Sequence, residues 1–513
     1  MSEKKIVPTD EQVAIIDAAR TSSKNIMCKS YAGCTKTTTI EMMGRALPVR
    51  PTLYLVFNVR NKKEAEARMP PHIHCKTVNG LGNEAWNRTT GRRCIVDVDK
   101  LSKILKNVIK SNPEFQGTSR EQWGDVLNLI NRARVSGLIP EQFVDFQGLI
   151  PDTEEGWQEI ANQIWLEINE GHIYLAREVL ILSIKMAFQG TIDYTDQIYM
   201  SALFGGAFTK YPEVMLDESQ DLSPLMHMMV AKAAIARLTA VGDPLQAIYA
   251  FRGADSASME KIRSLKEDWV DLPLTLTFRC PKLTVARQQG HAPGYRAHES
   301  NPEGEHFFLA KQAWGIDTIE DLAANGHITF LCRNNAPIIA AALRIIRSER
   351  GCTVLGREIG KSLVTLSKKI LPDERASITM CAEKVNEWAT RETSLATVAG
   401  KDARVAVIQD KKECLLAILE SPLCKDAGTM RDLLDHMFEG SNIRITLSTG
   451  HKAKGGEWPT IVSLDPWRIP SKYALAEAAR GNPIPHEQDM NLKYVIETRS
   501  QATTIFADLE EMK

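Results

Sequence analysis

Short apolar runs that end on a polar residue recur along the chain: "TLYLVFNV" (52–59), "EVMLDE" (213–218), "LTAVGD" (238–243), "ITFLCR" (328–333) and "ITLST" (445–449). Each carries few charges until its C-terminal end, the pattern of a strand covered on both faces. "KNIMCKS" (24–30) is a shorter run of the same kind. Other stretches follow a helical period. Val98, Leu101, Ile104, Leu105, Val108 and Ile109 form one apolar stripe; Ile359, Leu363, Leu366 and Ile370, spaced four, three and four, form another. Both stripes read as core packing. The layout is strand-rich, helical, strand-rich, helical, strand-rich. It predicts an α/β chain with two parallel-sheet domains, each carrying a helical insertion. Open sheets of this kind bind ligands at the C-terminal ends of their strands, so polar residues there are the first candidates for chemistry.

Composition narrows the class without naming a function. The 513 residues exceed one ordinary core, and 43% apolar with 25% charged residues is a globular balance. The ten cysteines are scattered and none forms a C-x-x-C pair, which points to free thiols in a reducing compartment. The start, "MSEKKIVPTDEQ", has no apolar signal core, and no run is long enough to span a bilayer; the expectation is a cytoplasmic protein without a membrane partner. A net charge of −1 means that nucleic-acid binding would need a local basic groove.

Three stretches carry candidate chemistry. "SYAGCTKTTTI" (30–40) is close to the phosphate-loop pattern G-x-x-x-x-G-K-[ST]. Lys36 and Thr37 stand in place for β/γ-phosphate charge and a magnesium ion, but Ser30 and Thr35 replace both glycines. Alone, this loop is matched by an ordinary strand–turn–helix. "EVMLDESQD" puts Asp217 and Glu218 at a strand end, where one carboxylate can hold a metal and the other polarise a water; such pairs are also common solvated turns. "GDPLQAIYAFRGAD" (242–255) adds Gln246 for a γ-phosphate, Tyr249 and Phe251 as stacking faces and Arg252 as a phosphate contact. Two aromatics in such a stretch are otherwise core residues.

Taken in order, these segments resemble the motifs of the UvrD/Rep/PcrA family of superfamily-1 DNA helicases, especially the compact bacteriophage forms, over most of the chain. "PTDEQVAII" (8–16) resembles the adenine-reading segment, with Gln12 as ligand, and "SYAGCTKTTT" the Walker A loop, where Ala32, Gly33, Cys34, Thr35, Lys36, Thr37 and Thr38 would surround the phosphates. "LDESQD" resembles Walker B. "LVFNVRNKKEA" (55–65) and "KTVNGLG" (76–82) resemble the DNA-contacting motifs, implying Phe57, Asn58, Thr77 and Asn79. "GTIDYTDQIYM" (190–200) resembles the segment returning from the first insertion. "LTFRCP" (276–281) resembles the motif that would supply Phe278 for adenine stacking and Arg279 for the γ-phosphate. "LSTGHKAKGGEW" (447–458) resembles the DNA- and nucleotide-sensing motif, implying His451, Lys452 and Glu457, and "NLKYVIETRS" (491–500) places Arg499 where the family has its second arginine finger.

The resemblance implies two RecA-like motor domains. The first would take 1–84 and 191–275 with insertion 85–190; the second would take 276–356 and 441–513 with insertion 357–440. It implies ATP and Mg2+ as cofactors and catalysis by Lys36, Glu218, Gln246, Arg279 and Arg499, with Thr37 and Asp217 on the metal. Arg279, Glu457 and Arg499 would reach the nucleotide when the domains close. The implied partners are single-stranded DNA, single-strand/duplex junctions and replication or recombination proteins, for a monomer moving 3′→5′. The chain departs from the family at Ser30 and Thr35, at Asn79 (often His), Val59 (often Lys) and Gly456 (often Leu). Thr35 fits the phosphate cradle if its φ is negative and its side chain turns away from the nucleotide. Two rival readings remain: a translocase that strips proteins from DNA, and a DNA-binding accessory protein with a degenerate ATP site. No nuclease cluster is evident toward the C-terminus.

Overall fold

The computed structural model describes residues 7–115, 120–164, 166–248, 257–309, 312–323, 326–398, 402–439 and 444–512. The chain divides into two compact units, Met1–Ser30 with Thr35–Leu274 and Tyr31–Cys34 with Thr275–Lys513. Each is built on a six-stranded parallel sheet flanked by helices, the α/β class that the apolar runs predict. Among the described residues no helix is long and apolar enough to cross a membrane.

In the first unit the strands are β1 (Asn25–Lys29), β2 (Thr52–Val56), β3 (Ile73–Thr77), β4 (Tyr211–Leu216), β5 (Ala234–Gly242) and β6 (Trp269–Asp271). Their order is β3-β2-β4-β5-β1-β6, all parallel. The four runs read as strands in this half are strands, and each leaves the sheet before the C-terminal end of its run. "TLYLVFNV" leaves the sheet after Val56 because Asn58 accepts the Asn61 N–H at 2.8 Å and starts helix α3 (Val59–Arg68). Three other helices matter below: α1 (Asp10–Thr21), α2 (Lys36–Ala46) and α4 (Val78–Thr90).

The apolar stripe near residue 100 lies on helix Lys100–Ser111, which buries Leu101, Ile104, Leu105 and Ile109. Val98, expected on the stripe, precedes the helix and is exposed. One continuous core joins this helical region to the sheet through Leu53, Trp86, Leu105, Trp157 and Tyr199. A parallel two-residue ladder pairs Ile95–Val96 with Thr191–Ile192, tying the region's first strand to its last. Beside it lies a buried ionic cluster. Arg134 donates to Asp193 and Asp196 at 2.8 Å, and Lys100 donates to Asp196 at 2.6 Å and to the Ser183 carbonyl at 2.7 Å.

The second unit holds β7 (Glu305–Phe308), β8 (Ile328–Cys332), β9 (Thr353–Val354), β10 (Ile445–Thr449), β11 (Trp458–Leu464) and β12 (Ser500–Ala507), ordered β7-β12-β11-β8-β10-β9. Its stripe lies on helix Arg357–Ile370, where Leu363 is buried and Ile359, Leu366 and Ile370 pack against the same core. Trp388, Ala389, Ala396 and Ile408 form a separate small cluster.

Candidate nucleotide and nucleic-acid site

The central strands of the first sheet, β4, β5 and β1, are neighbours, so their C-terminal ends gather three distant segments. Lys36 opens α2 just beyond β1, Asp217 and Glu218 follow β4, and Asp243 to Gln246 follow β5. Asp217 is buried. Its Oδ2 accepts the Tyr54 hydroxyl at 3.0 Å and its Oδ1 accepts the Glu218 N–H at 2.9 Å. Burial, then the charge of Glu218, push its carboxyl up to about 6 against the pull of Lys36 and the Tyr54 hydrogen bond. Glu218 has φ 50°, a left-handed conformation at a position where a carboxylate is wanted beside the strand end.

Three residues that the motif reading passed over organise this group. Gln220 Nε2 donates to Glu218 Oε2 at 2.6 Å, while its Oε1 accepts the Asp243 N–H at 3.1 Å. Asp243 is fully buried and accepts from Gln246 Nε2 at 2.6 Å. Burial raises its carboxyl above the ordinary value, opposed by Lys36 and by the Gln246 amide. Tyr54 is the third, and nothing in a strand of five buried residues marks its hydroxyl. Gln220 and Asp243 were within reach of sequence reasoning, since each lies in a segment already singled out.

The loop before α2 corrects one expectation. Thr35 has φ 55° and ψ 36°, left-handed rather than negative, and Gly33 has φ 69°. A β-branched residue held there carries strain of roughly 1–3 kcal/mol. The Thr35 hydroxyl accepts from Gln12 Nε2 at 3.0 Å, so the side chain is anchored to α1. Thr35 provides no side-chain cap for α2, unlike Thr9, Asn58 and Thr77 at α1, α3 and α4. With no acid in its first turn, α2 therefore presents N–H groups suited to an anion. Thr37 is exposed in that turn, and Thr38 is half-buried beside it. Hydroxyl and carboxylate oxygens from Thr37 and Asp217 are the hard donors that magnesium takes. Gln12 is buried, with its amide engaged by Thr9, Thr35 and Thr39.

Phe57, 46% exposed, follows β2, and Thr77 ends β3, so the same sheet edge continues outward from the acidic cluster. Asn58 and Thr77 cap α3 and α4, and Asn79 Nδ2 donates to the Tyr194 carbonyl at 2.8 Å. Tyr194, whose backbone makes that contact, is itself exposed. Tyr249, Phe251 and Arg252 lie outside the described residues.

In the second unit Phe278 is 42% exposed and stacks on His298 at 4.5 Å between ring centres. Arg279 is ion-paired with Glu457. Arg499 is buried, with Nε donating to the Val495 carbonyl at 3.0 Å and Nη1 to the Gly456 carbonyl at 3.2 Å. Lys452, just past β10, pairs with Glu358, and His451 precedes it half-buried. Residues Tyr31–Cys34 belong to this unit by their contacts; Ala32 N–H donates to Tyr494 Oη at 2.8 Å, Tyr295 Oη donates to the Ala32 carbonyl at 2.6 Å, and Cys34 is buried.

Curated proteins similar to the chain include a DNA helicase and a RecBCD enzyme subunit. F-box DNA helicase protein 1 of Schizosaccharomyces pombe is 23% identical over 530 aligned positions, covering 98% of this chain and 57% of the relative. The RecBCD enzyme subunit RecB of Mycolicibacterium smegmatis is 29% identical over 206 positions, covering 38% of this chain and 16% of the relative. The chain thus spans little more than half the length of one and a small part of the other. Residues 9–267, half of the sequence, match the family described as "UvrD/REP helicase N-terminal domain". That stretch contains the loop before α2, the Asp217–Glu218 pair and the Asp243–Gln246 turn, and the chain belongs to the UvrD/REP helicase family.

Proposed function

We propose that this protein is an ATP-dependent DNA helicase that moves 3′→5′ along single-stranded DNA and couples hydrolysis to duplex unwinding. The observation that carries the reading is the convergence of Lys36, Asp217, Glu218 and Gln246 at three adjacent strand ends. Lys36 neutralises phosphate charge, and Glu218, held by Gln220, orients the attacking water and draws its proton. Gln246 is aimed by buried Asp243. Thr37 and Asp217 would hold a magnesium ion, which supplies charge neutralisation at the phosphates. Arg279 and Arg499 act as the arginines that complete transition-state charge, with Phe278 and Glu457 on the nucleoside. Phe57, Asn58, Thr77, Asn79, Tyr249, Phe251, Arg252, His451 and Lys452 serve the DNA strand. The DNA helicase named among the relatives supports this reading.

ATP turnover with and without single-stranded DNA is the first test. Lys36→Ala and Glu218→Gln are each expected to lose on the order of 10²-fold or more in turnover, with Glu218→Gln still binding ATP. Near-normal hydrolysis in either variant would overturn the site. A second reading, an accessory protein with a degenerate ATP site, draws on the left-handed Thr35. A wild type that binds DNA without DNA-stimulated hydrolysis would favour it.

A further inference from the structure

The family resemblance gives Gln12 to adenine, yet its amide is committed elsewhere. Nε2 donates to Thr35 Oγ1 and to Thr39 Oγ1, each at 3.0 Å, and Oε1 accepts the Thr9 N–H at 2.9 Å. A carboxamide has two N–H donors and one carbonyl oxygen. Pairing with adenine takes a donor and the acceptor together, for N7 and the N6 amino group. Here both donors are spent and the residue is 3% exposed. Its two partners bracket the loop: Thr39 Oγ1 also donates to the Thr35 carbonyl at 3.0 Å, so Thr35 is held at its hydroxyl and at its backbone.

We infer that Gln12 is a positioning residue for the phosphate loop, acting through Thr35, and that it does not choose the base. Glycine takes a left-handed conformation unaided, whereas threonine there needs support. Gln12 supplies it from α1, through the same side chain that completes the helix's capping box. The loop's missing glycine and the buried glutamine are thus parts of one device. The inference rests on the nucleotide site proposed above.

The test measures ATP and GTP binding by equilibrium titration on the full chain, with kcat and KM for each. Four proteins are compared: wild type, Gln12→Ala, Thr35→Gly and the double variant. Gln12→Ala is expected to weaken both nucleotides by the same factor, on the order of tenfold, with the ATP:GTP ratio unchanged. In the Thr35→Gly background the same change is expected to cost less than about twofold, because the interaction it serves is gone. Should Gln12→Ala fail to fold, Thr39→Val leaves Gln12 in place and is expected to follow the same pattern. A shift in the ATP:GTP ratio of about tenfold or more, persisting in the Thr35→Gly background, would show Gln12 reading the base and overturn the inference alone. A wild type that binds neither nucleotide would overturn the nucleotide site together with it.

Discussion

At the level of single residues, Asp217 is the most exposed to experiment. Its carboxyl sits at about 6 in the nucleotide-free protein, above the ordinary 3.8, chiefly through burial. A raised acid favours the folded state when protonated, so its contribution is full below pH 4 and lost as pH rises through about 6. Asp217→Asn removes that loss, and the Tyr54 hydroxyl can turn to accept from the new amide. The nucleotide-free variant is therefore expected to melt higher than wild type at pH 8, by on the order of a few degrees, and to gain nothing at pH 4. Equal or lower melting at pH 8 would refute the buried-carboxylate account. Legibility at this scale was uneven. Asp217 and Glu218 could be read because an acid pair after an apolar run is conspicuous. Tyr54 could not, since its hydroxyl matters only because β2 lies beside β4. Thr35 was misread in its φ because sequence shows the missing glycine but not the Gln12 amide that accommodates its replacement.

Among the elements, the buried ionic cluster decides how the first helical region holds together. Asp196 receives both Lys100 and Arg134, and its carboxylate is almost wholly shielded from water. Burial lowers the Lys100 ammonium below its ordinary range, with Asp196 as the main opposing influence. Removing the acid's charge would leave two buried cations short of a counter-charge, a loss of about 3–5 kcal/mol for a broken buried pair. Asp196→Asn is expected to lower stability by that order in chemical denaturation, whereas Asp97→Asn, at the exposed Lys103 pair, is expected to leave the denaturation midpoint nearly unchanged. Similar losses from both would mean that the cluster contributes no more than a surface pair. The period of the apolar positions announced the helix but not this cluster. Lys100, Arg134, Asp193 and Asp196 are spread over nearly a hundred residues, and charged side chains on a helical pattern read as solvent-facing until a fold buries them.

For the whole molecule, the proposed activity makes a directional claim. Unwinding is expected on duplexes with a single-stranded 3′ tail and not on those with only a 5′ tail, as measured by strand displacement. Equal unwinding of both would refute the polarity, and displacement of a bound protein without strand separation would point to the translocase alternative. The class of the chain was open to sequence alone. Apolar runs covered on both faces with helical stretches between them require a buried parallel sheet, because only helices on each side can take such strands out of water. The order of the motifs carried the family, which the match over residues 9–267 supports independently. Strand order was not open to it. That β4, β5 and β1 are neighbours, and that β2 and β3 extend the same edge toward Phe57 and Thr77, depends on pairing between segments up to about two hundred residues apart. Local pattern sets which segments become strands, since side-chain burial repeats with backbone geometry. Which strand lies beside which is set by packing of the whole unit, and that adjacency turns separate polar strand ends into one candidate site.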